Sequence, residues 1–279
     1  MAVTMFSTLI FAGSMIAGLL GALTGLGGGV VIVPLLTLGF GVNIRYAIGA
    51  SLVSVIATSS GAAAAYVREG FSNIRLGMFL EMATTLGAFL GAGVAALIST
   101  RAIAIIFGLV LLYSAYLSFR HPAFVSSAEE VPDSFADSLR LDSSYPSLKG
   151  PVSYHVHHIP GGFSLCFLAG GLSGLLGIGG GAVKVMAMDQ YMHIPFKASA
   201  TTSNFMIGVT AAASAGVYLS RGYIDPGLTM PVMLGVVAGA FLGSKVLTFS
   251  RTALLRILFA LTITVLGFEM IYNGILGNI

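Results

Sequence analysis

Charge is what this sequence has least of. Only 8% of its 279 residues are charged and 56% are hydrophobic, whereas a soluble domain carries about a quarter charged residues. So few charges exclude a water-soluble surface. Cysteine is nearly absent, and Cys166, set among Leu165, Phe167 and Leu168, reads as a small buried hydrophobe rather than a redox centre. The segment Met1 to Ser14 lacks the positively charged leader of a secretory signal, and its apolar run continues past any cleavage length, so it is expected to be retained in the membrane. No Walker motif is present, and Gly25-Leu26-Gly27 lacks the strands and the ribose-binding acid of a dinucleotide site. An intramembrane enzyme would need paired aspartates or a His-Glu zinc pair. Asp189 stands alone and His193 has no second ligand nearby in the sequence, so neither catalytic residues nor a bound metal or other cofactor is expected. The net charge of +3 follows from basic residues at helix ends, which point to membrane topology rather than to nucleic acid.

What is present is apolar length. A bilayer crossing takes about 20 apolar residues, and such runs lie at about 44–67, 74–97, 102–119, 195–219, 227–248 and 253–274. Two more stretches, about 4–40 and 162–192, carry glycine clusters.

The chain repeats itself. Gly25-Leu26-Gly27-Gly28-Gly29 returns as Gly177-Ile178-Gly179-Gly180-Gly181, an offset of 152 residues. Without a gap, the same offset carries Ser51 onto Ser203, Thr58 onto Thr210, Tyr66 onto Tyr218 and Gly70 onto Gly222. It also carries the pentapeptide 87–91 onto an identical one at 239–243. The organisation read from this is a first membrane repeat over 1–119, a polar inter-repeat loop over 120–160 and a second repeat over 161–279. The loop holds Glu129, Glu130, Asp133, Asp137 and Asp142, half of the acidic residues. It also contains His155, His157 and His158, for which a flexible or locally folded linker is a better reading than a metal site.

The first glycine-bearing stretch, drawn as one helix, would be about 55 Å long, too much for a single crossing. Gly27 to Gly29 each weaken a helix by about 1 kcal/mol relative to alanine, and Pro34 removes a further donor, so a break is expected there. Basic residues choose the topology. If the stretches cross the bilayer, Lys and Arg divide six against seven; if they fold back, Arg45, Arg101 and Arg221 face the other ten, a proper positive-inside pattern. The expected fold is therefore an all-α integral membrane protein of two inverted repeats. Each repeat is a glycine-broken re-entrant hairpin plus about three transmembrane helices, with the termini outside and the central loop cytoplasmic.

Irregular backbone is tolerated in hydrocarbon only where it is buried in protein or lines a wet cavity. Two inverted breaks would meet near the midplane and present backbone N–H groups to a small anion. Helix packing is the competing reading for these glycines, and it is preferred for Gly87, Gly91, Gly239 and Gly243, which have four-residue spacing on unbroken spans. The candidate substrate-binding set is Thr24, Gly25, Gly27, Gly28 and Gly29, Ser51, Gly177, Gly179, Gly180 and Gly181, Lys184, Thr201, Thr202, Ser203 and Asn204. Ser173 precedes the second cluster. Lys184 either enters the cavity or snorkels to the cytoplasmic interface, and its counterpart in the first half is Ile32. Part of the run Thr201 to Asn204 is expected to line a pore. Glu81 and Glu269 are either proton-relay acids or helix-end residues.

The paired glycine clusters, the segments Arg45 to Leu52 and Lys197 to Asn204, and the repeated Tyr66 to Phe71 and Tyr218 to Tyr223 motifs resemble the sulfite exporter TauE/SafE family. That resemblance implies a prokaryotic plasma-membrane protein that moves sulfite, sulfoacetate or a related organosulfonate, usually outward. An inside-negative potential would drive such an anion outward at about 2.3 kcal/mol per charge per 100 mV. Import of a sulfur compound and an anion channel are the alternatives. The expected partners are that anion and the lipid bilayer.

Overall fold

A computed structural model describes residues 2–24, 28–68, 70–119, 139, 141–147, 150–247 and 252–277. Most of them are helical. The first half contains α1 (Ala2–Thr24), a short α2 (Gly29–Pro34) prolonged as a π-helix (Leu35–Gly39), α3 (Ile44–Arg68), α4 (Ile74–Ala95) and α5 (Thr100–Phe119). The second half contains α6 (Ile159–Leu176), a short α7 (Gly181–Met186) with its π-helix (Ala187–Tyr191), α8 (Phe196–Ser220), α9 (Pro226–Leu247) and α10 (Thr252–Leu276). From α2 to α4, both ends of every element reappear 152 residues later, including the rare π segments. The repeat is thus one of structure as well as of letters.

By length and hydropathy, Ile74–Ala95 and Ile159–Leu176 are apolar enough to cross a membrane among the described residues. Along α4, Met78 (62% exposed), Met82 (55%), Leu86 (59%) and Leu90 (60%) form an outward stripe at four-residue spacing, a surface suited to lipid and not to water.

The expectation of purely helical structure needs one correction. The central loop contains an antiparallel hairpin, β1 (Ser143–Ser147) paired with β2 (Gly150–Tyr154), in a register running from Ser143–Tyr154 to Ser147–Gly150. Tyr154 and Leu141 sink from it into a cluster with Leu76, Leu80, Ile159 and Met192. Asn73, the N-cap of α4, donates from Nδ2 to the Leu141 carbonyl at 2.7 Å and accepts from Leu76 N through Oδ1. Burial raises the Tyr154 pKa, against the effect of hydrogen bonds with Asn73 and Ser143.

Both glycine-bearing stretches double back. Phe6 and Phe40 meet edge to face at 5.9 Å, and Leu35 packs on Gly13, so the first stretch ends near where it began. In the second half Gly161 and Gly162 pack against Tyr191 and Met192, and His157 N donates to the Met192 carbonyl at 3.2 Å.

Packing follows the repeat. Helix α1 lies on α9 as α6 lies on α4; α4 meets α8 as α9 meets α3; α3 pairs with α8, and α5 with α10. Backbones touch where glycine removes the side chain. A Cβ on Gly87 would sit 2.1 Å from the Phe167 carbonyl oxygen, and one on Gly239 1.9 Å from that of Met15, which makes these residues packing glycines as expected.

Five of the described basic residues sort by end of the molecule. Arg221 donates from Nη1 to the Ala92 carbonyl at 2.8 Å, and Arg45 from Nη2 to that of Ile98 at 3.0 Å. Both therefore cover the C-terminal end of α4, and Arg101 opens the helix that follows. Arg75 and Lys197 begin α4 and α8 at the opposite end, beside the β-hairpin. Arg45, Arg101 and Arg221 thus share one end of the molecule. Lys184 belongs to neither end, because it is fully buried.

Candidate functional site

Three helices from the two halves bring polar groups to one buried point. Lys184 enters from α7, three residues after the glycine cluster; Glu81 comes from α4 and Thr210 from the middle of α8. Lys184 is 0% exposed and Glu81 7%. The Lys184 ammonium donates to Thr210 Oγ1 at 2.5 Å, and Thr210 Oγ1 donates to Glu81 Oε1 at 2.7 Å. Thr85 Oγ1 donates to the same carboxylate oxygen at 3.1 Å. Glu81 Oε2 lies 4.0 Å from the ammonium, and among the described residues it is buried with no hydrogen-bond partner. The hydroxyl of Thr210 thus separates two opposite charges that nearly touch.

Each ion costs several kcal/mol to bury, and only a close partner offsets the cost. For stability alone, an apolar pair would serve as well, which makes a charge pair inside apolar helices a mark of function. The repeat does not reproduce it: under the 152-residue offset Lys184 corresponds to Ile32 and Glu81 to Met233, while Thr210 corresponds to Thr58.

The two glycine turns meet just before α2 and α7, the second of which carries Lys184. A Cβ on Gly29 would lie 3.0 Å from the Gly177 carbonyl oxygen. Ser51 Oγ donates to that carbonyl at 2.8 Å and lies 3.5 Å from the Gly29 carbonyl, as Ser203 Oγ lies 3.3 Å from that of Gly181. Gly177, Gly179 and Gly180 have φ of +70°, +75° and +65°, a backbone open to glycine at little cost. Gly28 instead is right-handed, with φ of −64°. Val30, Ile178, Gly180 and Gly181 line a small, largely apolar pocket with Leu111 and Ser114.

The residues expected at the site divide. Gly28, Gly29, Ser51, Gly177, Gly179, Gly180, Gly181, Lys184 and Ser203 gather around the turns. Gly25 and Gly27 lie outside the described residues, as does the side chain of Thr24. Thr201 Oγ1 donates to the Phe71 carbonyl at 3.0 Å, and Thr202 Oγ1 accepts from Asn73 N at 3.0 Å, so these two hold the loop that leads into α4. Asn204 is half-buried on α8. Ser173 is fully buried, and its hydroxyl has no hydrogen-bond partner among the described residues. Sequence reasoning left Glu81 undecided and gave Thr210 no part in the site. The signal for Glu81 was its rarity, as one of few acids within the apolar segments; nothing in the sequence joined it to Lys184.

His193, isolated in the sequence, lies in the fold with its ring 6.0 Å from that of His157 and 5.7 Å from that of His158. Among the described residues, no three ligating side chains are placed to hold a metal ion.

The sequence profile described as Sulfite exporter TauE/SafE matches residues 10–270. The chain belongs to the sulfite exporter TauE/SafE family. Its relatives include the probable membrane transporter protein YunE of Bacillus subtilis (strain 168), 26% identical over 94% of this chain and 96% of the relative. A second Bacillus subtilis relative, the probable membrane transporter protein YdhB, is 24% identical over 91% of this chain and 96% of its own. A probable membrane transporter protein of Xylella fastidiosa (strain 9a5c) is 26% identical over 95% of this chain and 94% of its own. No solved structure matches significantly. Membership of the TauE/SafE family makes this chain a membrane transporter, and the buried Lys184–Thr210–Glu81 group is its foremost candidate site.

Proposed function

We propose that this TauE/SafE protein exports a small sulfur-containing anion, such as sulfite, sulfoacetate or a related organosulfonate, across the plasma membrane. The anion is held at Lys184, beside the point where the two glycine turns meet. The observation that carries this reading is the complete burial of Lys184: an ammonium kept from water inside a transporter core marks a substrate or ion site.

The halves are read as inverted repeats around this point, with the doubled-back stretches as re-entrant hairpins. The exchanged helix pairings and the grouping of Arg45, Arg101 and Arg221 support that reading. With those arginines outside, the β-hairpin lies in the cytoplasm. In a Cys166→Ser background, Ser144→Cys is expected to react with a membrane-impermeant maleimide only after the cells are opened. Labelling in intact cells would reverse the orientation.

Transport is tested by counterflow at equal pH on both sides of proteoliposomes. Vesicles loaded with unlabelled sulfite should accumulate labelled sulfite transiently above its outside concentration, the signature of a carrier rather than a channel. Equilibration without that overshoot would contradict a carrier, and no uptake of any sulfur anion would contradict the function itself.

A further inference from the structure

Resting on the anion reading of Lys184, we infer that Glu81 is a proton-binding site that must be protonated before the anion can occupy Lys184, so that one proton travels with each monovalent anion.

In the described state the ammonium of Lys184 is balanced by the Glu81 carboxylate 4.0 Å away and by the Thr210 hydroxyl between them. An incoming anion would make two negative charges around one positive in a buried site, and uncompensated charge is what such surroundings tolerate least. Protonating Glu81 removes the excess. The site then holds ammonium and anion, as neutral in sum as before.

Glu81 is built for that change. Its Oε1 is held by Thr210 and Thr85 in either protonation state, while Oε2 is buried, faces the ammonium and has no hydrogen-bond partner among the described residues. Oε2 is thus the oxygen free to take a proton. The groups that face the pair are few. Helix α7 contributes Lys184, α6 contributes buried Cys166, α8 contributes Thr210, and α4 itself contributes Thr84 and Thr85. Among these, Lys184 alone is charged besides Glu81. The proton comes from water as the anion enters and returns to water as it leaves, with no bond broken in the substrate.

The consequence is a change of driving force. A proton and a monovalent anion moving together carry no net charge, so the membrane potential does not act on the step. Net movement follows the anion gradient and the pH gradient, so export proceeds where the outward anion gradient exceeds the inward proton gradient.

Methanesulfonate is the probe, because it takes up no proton in the range used. Its binding to the purified full-length protein in weak buffer should alkalinise the solution by about one proton per anion bound, and its affinity should fall about tenfold per pH unit wherever Glu81 is ionised in the free protein. Glu81→Gln copies the protonated form, and its amide oxygen still accepts from Thr210 and Thr85. This variant should bind methanesulfonate independently of pH between about 6 and 8 and without alkalinising the solution, and lose uptake driven by an imposed pH gradient. Binding by the wild type without proton uptake would overturn the coupling and leave the anion site standing. Absence of both binding and counterflow would overturn the anion reading together with the coupling.

Discussion

Lys184→Met is expected to abolish anion exchange, with affinity reduced by about 100-fold or more, because truncating one member of a buried charge pair costs about 2–5 kcal/mol. The same substitution leaves Glu81 buried without its counter-charge, which lowers stability by about 3–5 kcal/mol, so loss of function alone would be ambiguous. The double variant Lys184→Met/Glu81→Gln separates the two effects. It keeps an acceptor for Thr210 and Thr85 and contains no buried charge, and such neutral replacements are often as stable as the ion pair. It should therefore unfold near the wild-type temperature and still fail to exchange anions. Recovery of exchange in the double variant would show that the lysine serves only to neutralise the glutamate.

Gly91→Leu is expected to prevent the fold from forming. A Cβ at this position would lie 2.0 Å from the Gly171 carbonyl oxygen, and the same contact is made in both directions: Cβ atoms on Gly170 and Gly174 would lie 2.1 Å from the Thr84 and Ala88 carbonyl oxygens. These are backbone atoms of α6 and α4, so no rotamer can yield, and the helices would have to separate. The cost is expected to reach about 3 kcal/mol or more, at or above the usual range for overpacking. Helix α4 also carries Glu81, so parting it from α6 disturbs the charge pair as well. Gly93→Leu is the control on the same helix, since nothing lies within 4 Å of the Cβ it would add. Size-exclusion profiles and thermal unfolding of the two variants should differ sharply.

The architecture was legible because it was written twice. A helix long enough to cross a membrane needs an apolar run, and the runs at 44–67 and 195–219 correspond to α3 and α8 within a residue or two. A break in the first glycine-bearing stretch followed from its length and helix propensity; turning back was chosen from the basic residues, and Arg45 and Arg221 do lie at one end. The site was less legible. Lys184 and Glu81 come from different halves, and nothing local to either names its partner. Four consecutive polar residues point about 100° apart around a helix, so Thr201, Thr202 and Ser203 had to part company, two to the loop before α4 and one to the glycine turn. The β-hairpin escaped notice because its strands are five residues each and contain Pro146 and Pro151, which weaken any strand pattern.

The central claim is that a small anion binds at the buried lysine. It is tested most directly by thermal unfolding of the purified protein in sulfite, sulfoacetate, taurine, thiosulfate and sulfate, alongside Lys184→Met/Glu81→Gln. At least one anion should raise the wild-type unfolding temperature in proportion to its occupancy and leave that of the double variant unchanged. No shift with any anion, or an equal shift in both proteins, would contradict the site.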